Sequence, residues 1–171
     1  MSNEIKEALY QRFNTNSPKI EDAISAYVTD ANIATPILHY VKWLGANGVS
    51  PAYSDFEGQS PFWEVEYNGK QHFLVLNDEN NICIMVKAAF TKDFEAAICA
   101  HGLQDVVLDN LQYCSRRDGG NCGNCHLPSH TAGVDEVLFG KEIKNLCCGQ
   151  FVSFDNPNGG TVECIKRLLE E

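Results

Sequence analysis

Cysteine spacing is the feature of this sequence that points most clearly to chemistry. Five of the eight cysteines fall within residues 114–148, and two of them enclose a Cys-Gly-Asn-Cys turn. A structural zinc ion takes four thiolate or imidazole ligands in a tetrahedron, and two cysteines separated by two residues can reach it from one turn. The spacing therefore predicts a structural zinc site with the ligands Cys114, Cys122, Cys125 and Cys148.

Three further side chains are alternative ligands for this zinc site. Cys147 is adjacent to Cys148, and we expect only one of the two to bind because adjacent cysteines would strain to hold one ion together. His126 and His130 offer a site of three cysteines and one histidine if Cys114 takes no part. The same thiols are compatible with an iron–sulfur cluster or with free, reduced cysteines.

Two other chemistries share the Cys-x-x-Cys-His pattern of residues 122–126. Covalent haem attachment uses this pattern, but it requires export and an axial ligand, and the sequence shows no secretory signal. Thiol–disulfide exchange favours a helix N-terminus beside the first thiol, whereas Leu127-Pro128 follows here without a helix signal. The pattern therefore favours metal binding over either alternative.

Charge and hydropathy exclude several classes of function. The chain of 171 residues has 23 acidic and 13 basic side chains, which gives a net charge of −10 and disfavours nucleic-acid binding because phosphates are repelled. The N-terminus lacks the basic start and apolar core of a secretory signal, and no segment approaches the ~18 apolar residues that span a bilayer. We expect a cytoplasmic protein that does not enter membranes, in which clustered thiols bind metal.

The first third of the chain is predicted to be helical. Apolar residues at helical spacing predict a first helix over residues 4–13. Ser17-Pro18 and Thr35-Pro36 each resemble an N-cap followed by proline at the first helical position, and they predict the starts of a second and a third helix. Residues 45–61 are predicted to be a loop because they are rich in glycine, serine and proline.

A three-stranded antiparallel meander is the clearest prediction of secondary structure. Phe62–Tyr67 alternates apolar and polar residues, and Asn68-Gly69 is a preferred pair for a two-residue hairpin turn. The return strand over residues 71–76 and a third strand over residues 82–86 complete the meander. With the two-residue turn, Val65 lies opposite His72 and neither face is purely polar, so either both faces are partly covered or the turn is longer than two residues.

These elements predict an α+β fold with three regions. Residues 1–112 form a core in which N-terminal helices pack on the meander, followed by a helix that Thr91 caps and in which Gly102 is a candidate break. Residues 113–154 form a cysteine-rich, metal-clamped lobe, and residues 155–171 form a C-terminal helix that packs back on the core. Cys83, Cys99 and Cys164 lie in the predicted strand or helices and are expected to be buried.

Three hypotheses about function follow from this organisation. The favoured one is a non-enzymatic binding or interaction module with a structural zinc ion and a protein or small-molecule partner. The second is an enzyme or small-ligand-binding domain that uses a cleft beside the sheet, where Glu64 and Glu66 are candidate acid–base groups. The candidate lining residues are aromatic, although the sequence favours a core role for them: Tyr53, Phe56, Phe62, Trp63 and Tyr67. The third is a thiol-based redox or metal sensor.

Overall fold

The structure, a computed structural model, describes residues 18–54, 60–78, 80–115, 132–147 and 149–170. Within these ranges the chain forms five α-helices and seven β-strands, which confirms the predicted α+β class. The helices are α1 (Ile20–Tyr27), α2 (Ala31–Ala46), α3 (Lys92–Ala100), α4 (Gln104–Asp109) and α5 (Gly159–Glu170). The strands are β1 (Ala52–Ser54), β2 (Phe62–Tyr67), β3 (Lys70–Asp78), β4 (Asn81–Lys87), β5 (Val134–Leu138), β6 (Lys141–Leu146) and β7 (Phe151–Asp155).

The predicted meander is the centre of a larger sheet. Strands β2, β3 and β4 are flanked by β1 and β7, in the order β1-β2-β3-β4-β7. The Asn156 amide donates to the Ile82 carbonyl and the Ala88 amide donates to the Gln150 carbonyl, so β7 runs antiparallel to β4. The sequence analysis missed β1, which has only three residues, whereas it indicates a short strand over residues 150–154 but assigns it to the lobe rather than to this sheet.

The predicted hairpin turn has the expected geometry. Asn68 and Gly69 both have positive φ, at 51° and 73°, and Tyr67 pairs with Lys70 across the turn. Asparagine and glycine tolerate this left-handed region better than other residues do. The resulting register places Val65 opposite His72, as the two-residue turn predicts.

One face of the five-stranded sheet carries most of its buried side chains, which form a hydrophobic core there. Alternate residues along each strand are buried on that face, including Trp63, Val65, His72, Leu74, Ile84 and Val86. Helix α2 contacts the face through the buried Tyr40, and the Trp63 indole donates to the Pro18 carbonyl over 3.0 Å. In α5, the Lys166 ammonium lies 5.9 Å from the centroid of the Trp43 ring of α2.

Helix α2 begins at Ala31, five residues before Pro36, which the Thr35-Pro36 signal predicts as the first helical residue. Asp30 is the N-cap, and its carboxylate accepts a hydrogen bond from the Asn32 amide over 2.9 Å. Pro36 therefore lies inside the helix, where it lacks the N–H that would bond to the Asn32 carbonyl. The Thr35-Pro36 signal predicted the wrong start because Asp30 caps the helix earlier in the chain. The buried residues of α2 after Pro36 stabilise the helix beyond that point.

Two asparagines join turns of the sheet to the ends of helices. The Asn80 side-chain oxygen accepts hydrogen bonds from the Thr29 amide at 2.6 Å, the Asp30 amide at 2.9 Å and the Thr29 hydroxyl at 3.1 Å. In the hairpin turn, the Asn68 side chain donates to the Leu169 carbonyl over 3.2 Å. These bonds satisfy backbone groups that a helix end leaves without intrahelical partners.

The chain after β4 continues with two helices and a second hairpin. Thr91 caps α3 as predicted, and Gly102, with φ of 66°, separates α3 from α4. Strands β5 and β6 form the hairpin around Phe139-Gly140, where both residues again have positive φ. The Phe139 amide donates to the Glu95 carboxylate over 2.7 Å, which joins this turn to α3.

The structure divides into two compact units. The first contains the described residues up to Val86 together with those from Ser153 onward, and the second is Lys87–Val152. The predicted boundaries at residues 112 and 154 stay predictions, and the helix predicted over residues 4–13 lies outside the described residues.

Candidate functional site

Cys114 and Cys147 lie on two chain segments whose backbones pair. Tyr113 and Leu146 form an antiparallel bridge. On either side of it, the Cys114 amide donates to the Asn145 carbonyl over 2.7 Å and the Cys147 amide donates to the Gln112 carbonyl over 2.9 Å. The two cysteines are therefore diagonal neighbours across the paired segments, although they are far apart in sequence.

Two side-chain amides reinforce this pairing. Gln150 is only 3% exposed. Its side-chain Oε1 accepts a hydrogen bond from the backbone amide of Gln112 over 3.1 Å, and its Nε2 donates to the backbone carbonyl of the same residue. The Asn145 side chain donates to the Cys114 carbonyl over 3.0 Å. The backbone at both ends of the predicted ligand segment is thus tied by hydrogen bonds that do not involve a metal.

The pairing also determines how the two thiols are spaced. Cys114 and Cys147 each follow a residue of the Tyr113–Leu146 bridge, so they are diagonal neighbours on one face, with Cα atoms about 7–8 Å apart. A disulfide needs Cα atoms within about 6.8 Å, so this spacing would have to close before the thiols could be bridged. Two zinc-bound thiolates each lie about 2.3 Å from the ion, and side chains can converge on it from this separation. Cys114 is 5% exposed and Cys147 is half-buried.

The other predicted ligands fall outside the described residues. These are Cys122, Cys125 and Cys148, with the alternates His126 and His130. Across the ranges that the structure describes, no group of three or more histidine, cysteine, aspartate or glutamate side chains converges to hold a metal ion. The structure therefore brings together two of the candidate ligands, Cys114 and Cys147.

The remaining cysteines were predicted to be buried, and this is correct for two of them. Cys83 and Cys164 are buried, but Cys99 is exposed because it lies beside the apolar stripe of α3 rather than within it. Burial raises the pKa of the Cys83 thiol, and hydrogen bonds with the Ser153 and Asn77 side chains oppose this rise. Cys83 is thus held as a neutral thiol in the core.

A groove of about 400 Å³ lies beside the sheet, at the edge of β2. Its lining residues are Gly48, Val49, Ser50, Ala52, Glu64, Val65, Glu66 and Gln71. None of the candidate aromatic residues that the structure describes is among these eight, and Trp63 is a core residue with 1% exposure, the role that the sequence favours for this group. The predicted candidates Glu64 and Glu66 do line the groove.

Strand pairing explains how the polar lining residues come to share one side. Ala52 pairs with Glu64, and Glu66 pairs with Gln71, so these four side chains project from the same face of the sheet. That face is opposite to the one that carries Val65 and the core. The groove therefore presents two carboxylates and one amide to a ligand.

Sequence reasoning missed a buried polar pair in the core of the first unit. His72 has 0% exposure, and its Nε2 atom lies 2.5 Å from the Tyr40 hydroxyl. Burial lowers the pKa of His72 to about 4, although the Lys70 backbone opposes this shift, and burial raises the pKa of Tyr40. Both groups are therefore neutral at pH 7, and we assign the Tyr40 hydroxyl as the donor. His39 and His101 are exposed.

The comparisons with known proteins add no further assignment to these sites. The described helices include none that is both long enough and apolar enough to cross a bilayer. A scan against protein-family models finds no match, and searches of curated proteins and of solved structures find no significantly similar protein.

Proposed function

We propose that the protein is a small binding or interaction module in which one structural zinc ion clamps residues 113–154. The observation that carries this proposal is the backbone pairing that holds Cys114 and Cys147 on one face as diagonal neighbours, at the two ends of the cysteine-rich segment. Zinc requires four ligands, and the Cys122–Cys125 turn supplies the other two. Residues 114–130, whose only aliphatic residue is Leu127, have no core of their own and need such a clamp to be ordered.

The pairing bears on the choice between the adjacent cysteines. Cys148 is the ligand that the sequence spacing favours, but Cys147 has its amide bonded beside Cys114 and shares a face with it. Cys147 is therefore our preferred fourth ligand in this proposal, with Cys148 as the alternate. The arrangement that follows is a core of helices and sheet, a clamped lobe and a C-terminal helix that closes the core.

The spacing of the same two thiols argues against a redox sensor based on a disulfide between them. Diagonal neighbours are separated by more than a disulfide spans, so oxidation would require the paired backbone to move. Hydrogen bonds from Gln150 and Asn145 oppose that movement. A sensor that uses this pair would have to break the hydrogen bonds that support it.

Metal content and thiol reactivity test the zinc proposal together. We expect one zinc ion per chain by elemental mass spectrometry on untagged protein, with about four thiols protected from alkylation until a chelator is added. Cys125→Ser should lose the zinc, and Cys147→Ser should lose it if Cys147 is the fourth ligand. Cys99→Ser is the matched control, because its thiol is exposed on α3, and this variant should keep the zinc.

Two results would contradict the proposal. Protein without zinc whose thiols are all reactive would show that no metal clamps the lobe, and bound iron would indicate a cluster instead. If zinc is structural, its removal should also increase hydrogen exchange at the amides of Cys114 and Cys147. An unchanged exchange rate after complete zinc removal would mean that the metal does not hold this segment.

A second candidate function is ligand binding at the groove beside β2. The observation that favours it is a cavity of about 400 Å³ whose lining includes Glu64 and Glu66. This volume lies in the range of about 300–1,000 Å³ that is typical of ligand sites. The groove belongs to the first unit, and its use does not require the zinc site.

A further inference from the structure

We propose that Gln150 is a positioning residue that sets the zinc affinity of the cysteine site, because its side chain holds the segment to which the Cys147 backbone is bonded. The role assigned to Gln150 rests on the zinc site proposed above, with Cys147 as the fourth ligand. Gln150 itself does not bind the ion in this scheme, since zinc takes thiolate, imidazole or carboxylate ligands. It acts through its two hydrogen bonds to Gln112.

The two cysteines of the diagonal pair are held in different ways. Cys114 lies opposite Asn145, and both of its peptide groups bond to that residue. Its amide donates to the Asn145 carbonyl over 2.7 Å, and its carbonyl accepts from the Asn145 side chain over 3.0 Å. Cys147 is tied to the opposite segment through its amide, which donates to the Gln112 carbonyl over 2.9 Å. The position of Cys147 therefore depends on how firmly Gln112 is held.

Gln112 receives its support from the Gln150 side chain. It lies three residues after the end of α4, outside the strands of the structure. Gln150 Oε1 accepts from its amide over 3.1 Å, and Gln150 Nε2 donates to its carbonyl. That carbonyl thus accepts from both Gln150 and Cys147, as its two lone pairs allow. Loss of the Gln150 amide would free the peptide group to which Cys147 is bonded.

Gln150 is itself a fixed support. Its backbone carbonyl accepts from the Ala88 amide over 3.0 Å, directly after the end of β4, and its side chain is 3% exposed. Burial limits competition from water for the bonds to Gln112. Residues that orient metal ligands without touching the metal typically change its affinity by roughly 10–100-fold when they are replaced. Gln150 is placed to have this effect on Cys147.

Zinc affinity, measured by competition with a chromogenic chelator on full-length protein, tests the role of Gln150. Gln150→Met keeps the length of the side chain but lacks both hydrogen-bonding groups, and it should weaken zinc binding roughly tenfold. Gln150→Asn keeps the amide but is one methylene too short to reach Gln112, and it should weaken binding by a similar factor. Circular dichroism checks that each variant is folded.

The matched control is Gln112→Ala. The side chain of Gln112 is exposed, and this residue contributes its backbone to the bonds with Gln150 and Cys147. Alanine keeps those backbone groups, so this variant should change zinc affinity less than about twofold. A loss as large as that of Gln150→Met would contradict the role of the Gln150 side chain.

A cobalt titration separates positioning of a ligand from loss of structure. Thiolates bound to Co²⁺ give a charge-transfer absorbance in the near ultraviolet that increases with their number. At saturation Gln150→Met should reach the absorbance of the wild type, because all the ligands are still present, but it should require more cobalt. In a Cys147→Ser background, Gln150→Met should cause no further loss of affinity, because the ligand that Gln150 positions is gone.

The contradicting results distinguish Gln150 from the zinc site itself. Wild-type protein that binds no zinc would overturn both the zinc site and the role of Gln150. Tight zinc binding with equal affinity in the wild type and Gln150→Met would overturn the role of Gln150 alone. A lower cobalt absorbance at saturation, or an undiminished loss in the Cys147→Ser background, would show that Gln150 supports the fold instead of positioning Cys147.

Discussion

Acidification should destabilise the first unit through His72. In the folded protein this residue is buried beside Tyr40, and its pKa is lowered to about 4 from an ordinary value of 6.5. Between these two values an unfolded chain binds a proton at His72 that the folded chain does not bind. The contribution of neutral His72 is therefore complete above pH 6.5, decreases as the pH falls, and is lost at about pH 4.

The pKa difference sets the size of this effect. A lowering of the pKa by about 2.5, from 6.5 to 4, at about 1.4 kcal/mol for each unit, gives about 3.5 kcal/mol. About 2.5 kcal/mol of this should already be lost at pH 4.5, where the unfolded histidine is almost fully protonated. This is a large fraction of the 5–15 kcal/mol that typically stabilises a domain.

Urea unfolding followed by tryptophan fluorescence measures the loss of stability of the first unit. Both tryptophans, Trp43 and Trp63, belong to the first unit. The comparison is between the wild type and His72→Gln at pH 7.5 and pH 4.5. Glutamine stays neutral and can accept from the Tyr40 hydroxyl, while all carboxylates titrate in both proteins. The wild type should lose about 2.5 kcal/mol more than the variant.

An equal loss in the two proteins would refute this reasoning. It would mean that His72 titrates with the same pKa in the folded and unfolded chain, and hence that the ring is not held away from water. A second measurement reaches the same point without a variant. The nuclear magnetic resonance signal of the folded His72 ring should show no titration midpoint near pH 6.5.

Two other predictions concern hydrogen bonds of single amide side chains. Asn80→Ala should reduce the free energy of unfolding of the first unit by about 2–3 kcal/mol, because three donors at Thr29 and Asp30 lose their acceptor and alanine disfavours the φ of 56°. Asn80→Gly lacks the same hydrogen bonds but tolerates this φ, so in urea unfolding it should be about 1 kcal/mol more stable than Asn80→Ala. Equal stability of the two variants would mean that backbone strain plays no part. Gln150→Leu should increase hydrogen exchange at the Gln112 amide about tenfold, and unchanged exchange would show that the Gln150 side chain does not hold this segment.

Elements with strong local signals could be predicted from the sequence. The Asn68-Gly69 turn places both residues in a conformation that few others tolerate, and the register of β2 and β3 follows from it. Thr91 and Gly102 likewise mark a helix start and a helix end through their own backbone preferences. In each of these cases the determining interactions lie within a few residues.

Elements that depend on distant partners could not be predicted in the same way. Strand β1 is three residues long and exists because Ala52, Tyr53 and Ser54 pair with β2, so its own sequence resembles a loop. Strand β7 joins the sheet beside β4, although about 65 residues separate the two in the chain. No local pattern indicates either pairing.

The candidate sites show the same division. Residue type and spacing suffice to nominate Cys114 and Cys147, because thiol chemistry can be recognised from composition. The role of Gln150 could not be foreseen, since its side-chain amide bonds to the backbone of Gln112, 38 positions away, as a neighbouring strand would. Nor does the sequence reveal that His72 is buried, because its neutral state depends on the helix that brings Tyr40.

The discontinuity of the first unit has a consequence for biosynthesis. Strand β7 and helix α5 are translated after the whole of Lys87–Val152, yet most of β7 and all of α5 belong with the residues that precede that segment. The contiguous second unit can therefore fold on the ribosome while the first still lacks its edge strand and last helix. During this interval the apolar surface that α5 later covers stays open to chaperones, and the first unit can close only after α5 has been translated and has left the ribosome.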